Sequence, residues 1–544
     1  MAHIDYADCI LRGGKILTVD AGFTVASAVA LRGGDILAVG DDAEVSDWAG
    51  PRTEVIELDG ACVVPGLIDT HMHLDLLGND LWSVDFAGVS TVAEALERIA
   101  DHAKGIEPGV WIRGATWHPV SQLAEKRYLT RDELDSVAPN NPVLLPVSHF
   151  SMANSLGLAA AGIGDDTPDP AGGVIHRDAD GRANGLLEES AENLVMDVLP
   201  PWTDAEREAQ LRDAMQFSNA QGLTSIVSAA VSPVTFRAHQ AILARGEASL
   251  RVSAMFAPTG ALNPSMSLDE WESFFSRIGA MSDFGNDWLS YSGVKLQIDG
   301  GMTLGTALMR DGYPHDREFK GVAVIEPDRF KALVEIANRY GWRVGVHAVG
   351  DGAIDLVLDA YEAVSATRPI KGRRFIVIHG SLMCPDQMDR ARALDVRVDA
   401  QSTFLWTKAG AVAGYLGKEV ADRAFPMRDM IDRMGLDLIG QGTDNPINLL
   451  NPFINMAVMV TRKDHSGTVY GADQAITREE ALRLYTSAAA RYAFWEDRVG
   501  SIEVGKRADL TVLSDDILSV PDEALKDITA ARTIVAGKTV YKAG

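Results

Sequence analysis

Apolar residues in the middle of the chain recur in short runs, separated by longer stretches in which they follow a helical period. The short runs are rich in Val, Ile and Leu and have the length of buried strands. Eight of them are found, at residues 63–69, 224–230, 251–257, 290–299, 343–349, 374–380, 396–402 and 436–444. Amphipathic stretches such as residues 328–340 separate several runs, which predicts a parallel α/β architecture. Eight parallel strands are the number that closes a TIM-like (β/α)8 barrel.

The two ends of the chain follow a different pattern, made of short β runs bounded by glycine. Residues 9–20 and 29–42 each place Gly-Gly between runs of Ile, Leu and Val, which predicts two hairpins. The last 45 or so residues of the chain show the same pattern of short β runs. We therefore expect one small β domain assembled from residues 1–62 and 498–544. Two unrelated clusters of strands are the alternative.

The spacing of the first two predicted strands indicates an insertion. They are separated by about 155 residues, far more than one crossover helix needs. We therefore expect an inserted subdomain over about residues 78–200, within a barrel domain that covers residues 63–497.

Composition narrows the possible functions. Of 544 residues, 47% are hydrophobic and 23% charged, as in ordinary globular proteins. Acidic residues outnumber basic ones by 76 to 50, and a net charge of −26 repels nucleic acid and anionic membranes. The three cysteines lie far apart and suggest no disulfide framework. The sequence shows no signal-peptide pattern and no run of about 18 apolar residues, so we expect a cytoplasmic protein without a membrane-spanning helix.

Polar side chains with metal-binding chemistry lie near the ends of five of the predicted barrel strands. They are His71, His73, Lys295, His347, His379 and Asp444. Active groups of such barrels collect at the C-terminal ends of the strands, so these residues would converge. Residues i and i+2 of a strand point the same way, so His71 and His73 can share one ion. Imidazole and carboxylate groups are ligands for zinc and similar divalent ions.

Each of these residues also has an ordinary structural explanation. A single histidine at a strand end is often only a hydrogen-bonded polar group, and Lys295 could form an ion pair with Asp299. Asp444, in the sequence GTDNP, could be a turn or helix-cap residue. It is the coincidence of six such residues at the same predicted barrel end that favours a metal centre.

Four further residues are candidates for contact with a substrate. Trp117, Phe404 and Trp406 lie in segments expected near the barrel mouth, and His149 lies in the inserted segment. Aromatic side chains there would suit an apolar or aromatic group on a small molecule. The alternative is that the aromatic residues only pack at the barrel rim.

Several motifs, taken in order, resemble those of the amidohydrolase superfamily. They are PGLIDTHMHL, GVKLQIDGG, HAVGD, VIHG and GTDNP. The sequence is most similar to the amidohydrolase-3 branch, which is N-substituted formamide deformylase-like, over about residues 8–541. The resemblance implies a metal-dependent hydrolase barrel and a composite β-sandwich built from both ends of the chain.

The resemblance also implies a role for each site residue. His71 and His73 would bind the more buried metal ion, and His347 and His379 a second one. Lys295 matches a lysine that is carboxylated in many relatives and then bridges two ions. Asp444 matches an aspartate that contacts metal and transfers the proton. Thr443 stands where serine is usual, which removes no ligand.

These observations together lead to one expected function. We expect one or two divalent ions per chain, zinc first, and hydrolysis of a non-peptide C–N bond in a small molecule: an N-acyl or N-formyl amine, a carbamate or a cyclic amide. Deamination, or ester or lactone hydrolysis, on the same metal centre is the alternative. A scaffold without catalysis is a third, against which the retained site residues argue. The family resemblance implies a homodimer or a higher homo-oligomer.

Overall fold

The computed structural model describes residues 6–115, 117, 119–147, 150–258, 266–303 and 305–544. The chain divides into two compact units. The barrel unit contains the chain up to Leu74 and from Met215 onward, and the inserted unit contains Asp75–Ala214.

The barrel unit is built around eight parallel strands that neighbour one another in chain order. These barrel strands, first to eighth, are Leu67–Met72, Leu223–Val231, Arg251–Phe256, Leu289–Gln297, Val344–Ala348, Ile376–His379, Arg397–Ala400 and Ile439–Gln441. Backbone hydrogen bonds join the C-terminal side of the first strand to the segment after the eighth. The Asp444 amide donates to the His71 carbonyl (2.7 Å), and the His73 amide donates to the Asn445 carbonyl (2.8 Å). The eight-stranded barrel predicted from the sequence is confirmed.

Two of the predicted strands have different limits in the structure. The run 63–69 is two strands, because Cys62–Pro65 belongs to another sheet and only Leu67–Met72 enters the barrel. The chain changes sheets at Gly66, where an added Cβ would lie 2.2 Å from the hydroxyl oxygen of Thr224. The run 436–444 forms a strand only over Ile439–Gln441, because a 3₁₀ turn precedes it and the chain then leaves the sheet.

Two further sheets of the barrel unit form the β-sandwich. The six-stranded sheet takes strands from both ends of the chain, in the order Lys538–Lys542, Ala530–Val535, Leu510–Leu513, Cys62–Pro65, Lys15–Leu17 and Val25–Ala26. The four-stranded sheet has the order Asp35–Gly40, Ala28–Arg32, Cys9–Arg12 and Glu54–Glu57. Leu11 and Val29 of the smaller sheet share one buried cluster with Ile16, Leu510 and Ile534 of the larger. The composite β-sandwich is therefore confirmed.

One of the two predicted hairpins is wrong. Ala28–Arg32 and Asp35–Gly40 pair antiparallel as predicted, but Cys9–Arg12 and Lys15–Leu17 lie in different sheets. The Gly-Gly between them carries the chain from one sheet to the other. An added Cβ at Gly14 would lie 2.5 Å from a methyl group of Leu58, so a residue without a side chain is required there.

The inserted unit is built on a five-stranded sheet of its own. Its strands, in spatial order, are Gly173–Arg177, Ala183–Glu189, Phe150–Ala153, Val143–Val147 and Ile112–Arg113. Apolar side chains from its helices pack with this sheet, among them Ile99, Leu134 and Leu158.

Helices accompany all three parts of the chain, and the first of them packs on the four-stranded sheet of the β-sandwich. They are Asp42–Ser46, Leu74–Leu81, Val92–Ala103, Pro119–Gln122, Arg131–Val137, Ser155–Ala160, Glu192–Met196, Asp204–Ala220, Pro233–Ala244, Leu268–Ile278, Pro327–Arg339, Asp351–Thr367, Pro385–Leu394, Phe404–Leu416, Lys418–Asp422, Met427–Met434, Pro452–Thr461, Arg478–Leu484 and Ser487–Tyr492. Across the described residues, none of the helices combines the length and apolar character needed to cross a membrane.

Candidate metal centre

Two histidines and an aspartate meet where the first and eighth barrel strands end. His71 lies in Leu67–Met72, His73 follows it, and Asp444 lies three residues beyond Ile439–Gln441. Asp444 Oδ1 is 3.2 Å from His73 Nε2 and 3.5 Å from His71 Nε2. One ligand atom from each residue lies within 4.8 Å of the others, which is close enough for all three to hold a single ion.

A buried carboxylate fixes the orientation of the His71 ring through the nitrogen that faces away from Asp444. His71 Nδ1 lies 3.0 Å from Asp399 Oδ2, and both side chains are almost wholly buried. With its proton on Nδ1, His71 donates to the Asp399 carboxylate, and the lone pair of Nε2 then faces Asp444. Within the described residues this buried Nε2 has no hydrogen-bond partner. A buried nitrogen in this state is suited to a metal ion, because burial without a partner is otherwise unfavourable.

His347 and His379 extend the cluster from the ends of the fifth and sixth strands. His379 Nε2 lies 2.9 Å from His347 Nδ1, and the His379 ring is 5.5 Å from the ring of His71. His379 Nδ1 contacts the Gln401 side-chain oxygen at 2.6 Å, and His347 Nε2 contacts the Gly300 carbonyl at 3.1 Å. The four histidines therefore form one continuous group at the barrel mouth.

Protonation states in this group suit a divalent cation. Burial lowers the pKa of His347 to about 4, and it lowers the pKa values of His71 and His379 well below 6.5. These imidazoles are neutral at pH 7. Burial alone would raise the pKa of Asp444, but the hydrogen bond from His73 and the nearby basic groups lower it to about 2. Neutral nitrogens beside an ionised carboxylate are the ligand set that zinc and related ions bind.

Lys295 belongs to the same group, at 2% exposure in the fourth barrel strand. Burial lowers its pKa to about 8, although the carboxylates of Asp444 and Asp399 partly offset this shift. The positive charge of Lys295 in turn contributes to the lowered pKa values of His71 and His347. The lysine therefore lies within electrostatic reach of the candidate metal ligands.

Asp299, the alternative partner of Lys295, has a different role in the structure. Its carboxylate accepts hydrogen bonds from the backbone amides of Leu308 (3.0 Å), Val349 (3.0 Å) and Gly350 (2.9 Å). It thus joins the loop after the fourth strand to the end of the fifth. The ion pair between Lys295 and Asp299 that the sequence allowed is not the arrangement observed.

Several residues that hold the candidate ligands in place were not identified from the sequence. Asp399 and Gln401 contact His71 and His379, and the Gln401 side chain also donates to the Asp399 carbonyl at 2.8 Å. Polar residues at alternate positions of an otherwise apolar segment, VDAQS, were the signal that could have identified them.

A second support lies where the segment after the eighth strand meets the first strand. The buried Asp69 carboxylate accepts from the Thr443 hydroxyl (2.7 Å), from the Thr443 amide and from the His71 amide (2.9 Å). Thr443 therefore supplies both its hydroxyl and its amide as donors to Asp69. Together these bonds hold the segment that carries Asp444 against His71.

The four candidate substrate contacts lie in different surroundings. The Phe404 ring is 6.0 Å from the His379 ring, whereas Trp406 lies against His465, with ring centroids 6.4 Å apart. Trp117 stacks on Phe86 at 3.9 Å within the core of the inserted unit, so packing accounts for its burial. His149 lies outside the described residues.

Comparison with known proteins shows which family the chain resembles. The sequence profile of the amidohydrolase family matches residues 54–541. The chain is 32% identical to the N-substituted formamide deformylase of Arthrobacter pascens over 98% of both chains. It is 30% identical to the Protein LONG AFTER FAR-RED 3 of Arabidopsis thaliana, over 98% of this chain and 92% of that protein.

A solved structure supports the same assignment. The crystal structure of an uncharacterized metal-dependent hydrolase from Pyrococcus horikoshii OT3 is similar with a TM-score of 0.77 and 26% identity. The similarity covers 95% of this chain and 99% of that one. The resemblance drawn from the sequence motifs is confirmed, and the chain belongs to the amidohydrolase family of metal-dependent hydrolases.

Proposed function

We propose that this amidohydrolase cleaves the C–N bond of an N-formyl or N-acyl amine, a carbamate or a cyclic amide. The observation that carries the proposal is the position of the Asp444 carboxylate, whose Oδ1 lies within 3.5 Å of the Nε2 atoms of both His71 and His73. This arrangement places a proton acceptor against a ligand set for a divalent ion. Similarity to a formamide deformylase over nearly the whole chain supports amide-type substrates.

Five of the six candidate residues would bind metal through their unmodified side chains, with zinc as the ion we propose. His71, His73 and Asp444 would bind one ion, and His347 and His379 a second. When bound, such ions acidify water and polarise a carbonyl oxygen, which favours attack on an amide near neutral pH. The unpartnered His71 Nε2 and the neutral state of the buried imidazoles support this assignment.

Asp444 is the residue that we assign to proton transfer. Its low pKa keeps it ionised at pH 7, so it accepts the proton of the attacking water. It then donates that proton to the leaving nitrogen, which would otherwise depart as an unstable amide anion. Asp399 and Gln401 keep the imidazoles in fixed orientations during these steps.

Lys295 is proposed to carry a carboxyl group on its side-chain nitrogen. The neutral amine attacks carbon dioxide, a C–N bond forms, and one proton is released, so the product is a carbamate anion. Burial favours the neutral amine, since it lowers the pKa of Lys295 to about 8. The anion would replace a buried cation beside the candidate metal ligands and would supply oxygen ligands for a divalent ion.

The test is a hydrolysis screen with the zinc-loaded protein, using formamides, acylated amines, carbamates, cyclic amides, aminated heterocycles, esters and lactones. We expect turnover of a C–N substrate, with release of the amine. Asp444→Asn should reduce kcat by about 10²–10⁴-fold, because an amide cannot accept the proton. The matched control is Asp328→Asn, on an exposed helix position. Metal content is measured on each sample, so that loss of the ion is separated from loss of proton transfer.

Other outcomes of the screen decide against the proposal. Cleavage of esters or lactones alone, or release of ammonia from aminated heterocycles alone, would assign the metal centre to the alternative reactions. Equal turnover by Asp444→Asn and the control would show that another group transfers the proton.

A further inference from the structure

A lysine near the barrel mouth has no role in the hydrolysis described above. Lys408 lies on the helix Phe404–Leu416, which follows the seventh barrel strand at its C-terminal end. Phe404 and Lys408 are four positions apart and share one face of this helix. Lys408 Nζ lies 4.3 Å from the centre of the Phe404 ring, and that ring is 6.0 Å from the His379 ring. The ammonium group is therefore near the candidate metal ligands.

The Lys408 ammonium group has hydrogen-bond donors that the described residues do not use. Lys408 Nζ donates one hydrogen bond, to the Ile447 carbonyl at 3.1 Å, whereas an ammonium has three donors. Within the described residues no carboxylate forms an ion pair with it. The Ile447 amide donates to the Asp444 carbonyl at 2.9 Å, so Lys408 touches the turn that carries Asp444.

Lys408 is a half-buried cation that pairs with no carboxylate among the described residues, although acidic residues outnumber basic ones by 76 to 50 in this chain. Burial lowers the pKa of Lys408 to about 8, an effect that Asp444 partly offsets, so the charged form predominates at pH 7. Two of the three donors of this ammonium have no acceptor among the described residues, so a ligand of opposite charge would add hydrogen bonds as well as an ion pair. The aromatic face beside it adds an apolar surface next to the cation.

We propose that Lys408 and Phe404 form a subsite for a carboxylate on the substrate. Two N–H groups of Lys408 would bind the carboxylate oxygens, and the apolar part of the same molecule would lie against Phe404. The substrate class is then an N-formyl or N-acyl amine that carries a carboxylate, such as an N-acylated amino acid. This inference rests on the proposed function, since it names the substrate of the same site.

A purely structural role for Lys408 predicts different kinetics from those of a carboxylate subsite. If the lysine only held the 444–447 turn through the Ile447 carbonyl, its removal would displace Asp444 and lower kcat for every substrate alike. A carboxylate subsite instead changes KM, and only for substrates that carry the carboxylate.

The first experiment measures binding without hydrolysis. Calorimetry with the zinc-loaded protein and 3-phenylpropionate compares the natural chain with Lys408→Met, which keeps length and removes charge. Lys331→Met, at an exposed helix position, is the control for loss of one surface charge. We expect Lys408→Met to weaken binding by about 10- to 100-fold, the range for a charge-assisted hydrogen bond. Lys408→Arg should bind more tightly than Lys408→Met, which separates the loss of charge from misfolding.

The second experiment compares two substrates that differ by the carboxylate alone, N-formylphenylalanine and N-formyl-2-phenylethylamine. In Lys408→Met the value of kcat/KM for the first should fall at least tenfold more than that for the second, mainly through KM.

Two binding results would overturn the inference: no binding of 3-phenylpropionate by the natural chain, or equal binding by Lys408→Met, which would place the carboxylate on the metal. A protein that binds 3-phenylpropionate through Lys408 but cleaves neither formamide would retain the subsite and refute formamide hydrolysis. Cleavage of both formamides with an unchanged preference in Lys408→Met would retain the hydrolysis and refute the subsite.

Discussion

The contact between His71 and Asp399 allows a quantitative test of how this barrel orients the ligands of its candidate metal centre. Asp399 Oδ2 lies 3.0 Å from His71 Nδ1, and Oδ1 accepts the Thr70 hydroxyl at 2.6 Å. In Asp399→Asn the amide oxygen can keep the bond from Thr70, and the amide NH₂ then faces His71 Nδ1. Two donors cannot face each other, so the histidine proton is driven to Nε2. Nε2 is the atom that faces Asp444, at 3.5 Å from its Oδ1.

The size of the effect follows from what the substitution removes. A protonated Nε2 cannot bind a metal ion, so binding requires a return to the unfavourable tautomer. Loss of such a supporting carboxylate typically lowers metal affinity by about 10- to 100-fold. That range corresponds to about 1.4–2.7 kcal/mol of binding free energy. The change in volume is negligible, so the fold should be retained.

The assay is competition for zinc between the protein and a chelator of known affinity. Burial raises the pKa of Asp399 to about 7, so the titration is done at pH 8, where the carboxylate is ionised in the natural chain. Thr70→Val is the matched control, since it removes the hydrogen bond that Thr70 donates to the same carboxylate and leaves His71 in contact. We expect the control to lower the free energy of unfolding by about 1–3 kcal/mol while zinc affinity changes less than in Asp399→Asn. Equal zinc affinity in Asp399→Asn and the natural chain would refute this account of the tautomer.

Three further outcomes follow from the structure. Lys295→Ala should lose bound metal, and acetate or propionate should restore the metal if a carboxylated lysine supplies oxygen ligands. Elemental analysis with and without the acid measures this, and failure of both acids to restore the metal would argue against the modification. Burial lowers the pKa of His239 to about 4, so between about pH 6.5 and 4 the unfolded chain binds a proton that the folded chain does not. As the pH falls through this range, His239 alone should lower the free energy of unfolding by about 1.4 kcal/mol per pH unit. Urea denaturation at pH 7 and 4.5 should therefore show a smaller loss of unfolding free energy in His239→Leu than in the natural chain. In Gly442→Ala the new Cβ would lie 2.5 Å from the His71 amide nitrogen and 2.9 Å from Asp69 Oδ1, so zinc affinity should fall, and unchanged affinity would show that the segment can shift without loss.

The sequence was most informative where a local pattern determines the geometry. Alternation in LIDTHMH predicts that His71 and His73 point the same way, and the structure brings both to Asp444. The first hairpin was wrong because Gly13-Gly14 resembles a turn locally, whereas the requirement for glycine there comes from Leu58, a residue distant in sequence.

Partners that are distant in sequence account for the rest. Asp399 and His71 are 328 positions apart, and no periodicity in either segment reports their contact. The surroundings of Lys408 could not be predicted from the sequence either, because a lysine on a helix is ordinarily solvated. Only the fold shows that this one lies over Phe404 and bonds to the turn after Asp444.

The backbone bonds that join His71 to Asp444 and His73 to Asn445 have a consequence for how the protein is made. A ribosome releases the first barrel strand long before the segment that completes its neighbourhood, since Asp69 and Thr443 are 374 positions apart. In the nascent chain, Leu67–Met72 therefore lacks these partners until most of the polypeptide has emerged. The six-stranded sheet is under the same constraint, because Cys62–Pro65 pairs with Leu510–Leu513. Catalytic competence should therefore arise late and all at once during synthesis, and a chain interrupted before residue 444 should have none.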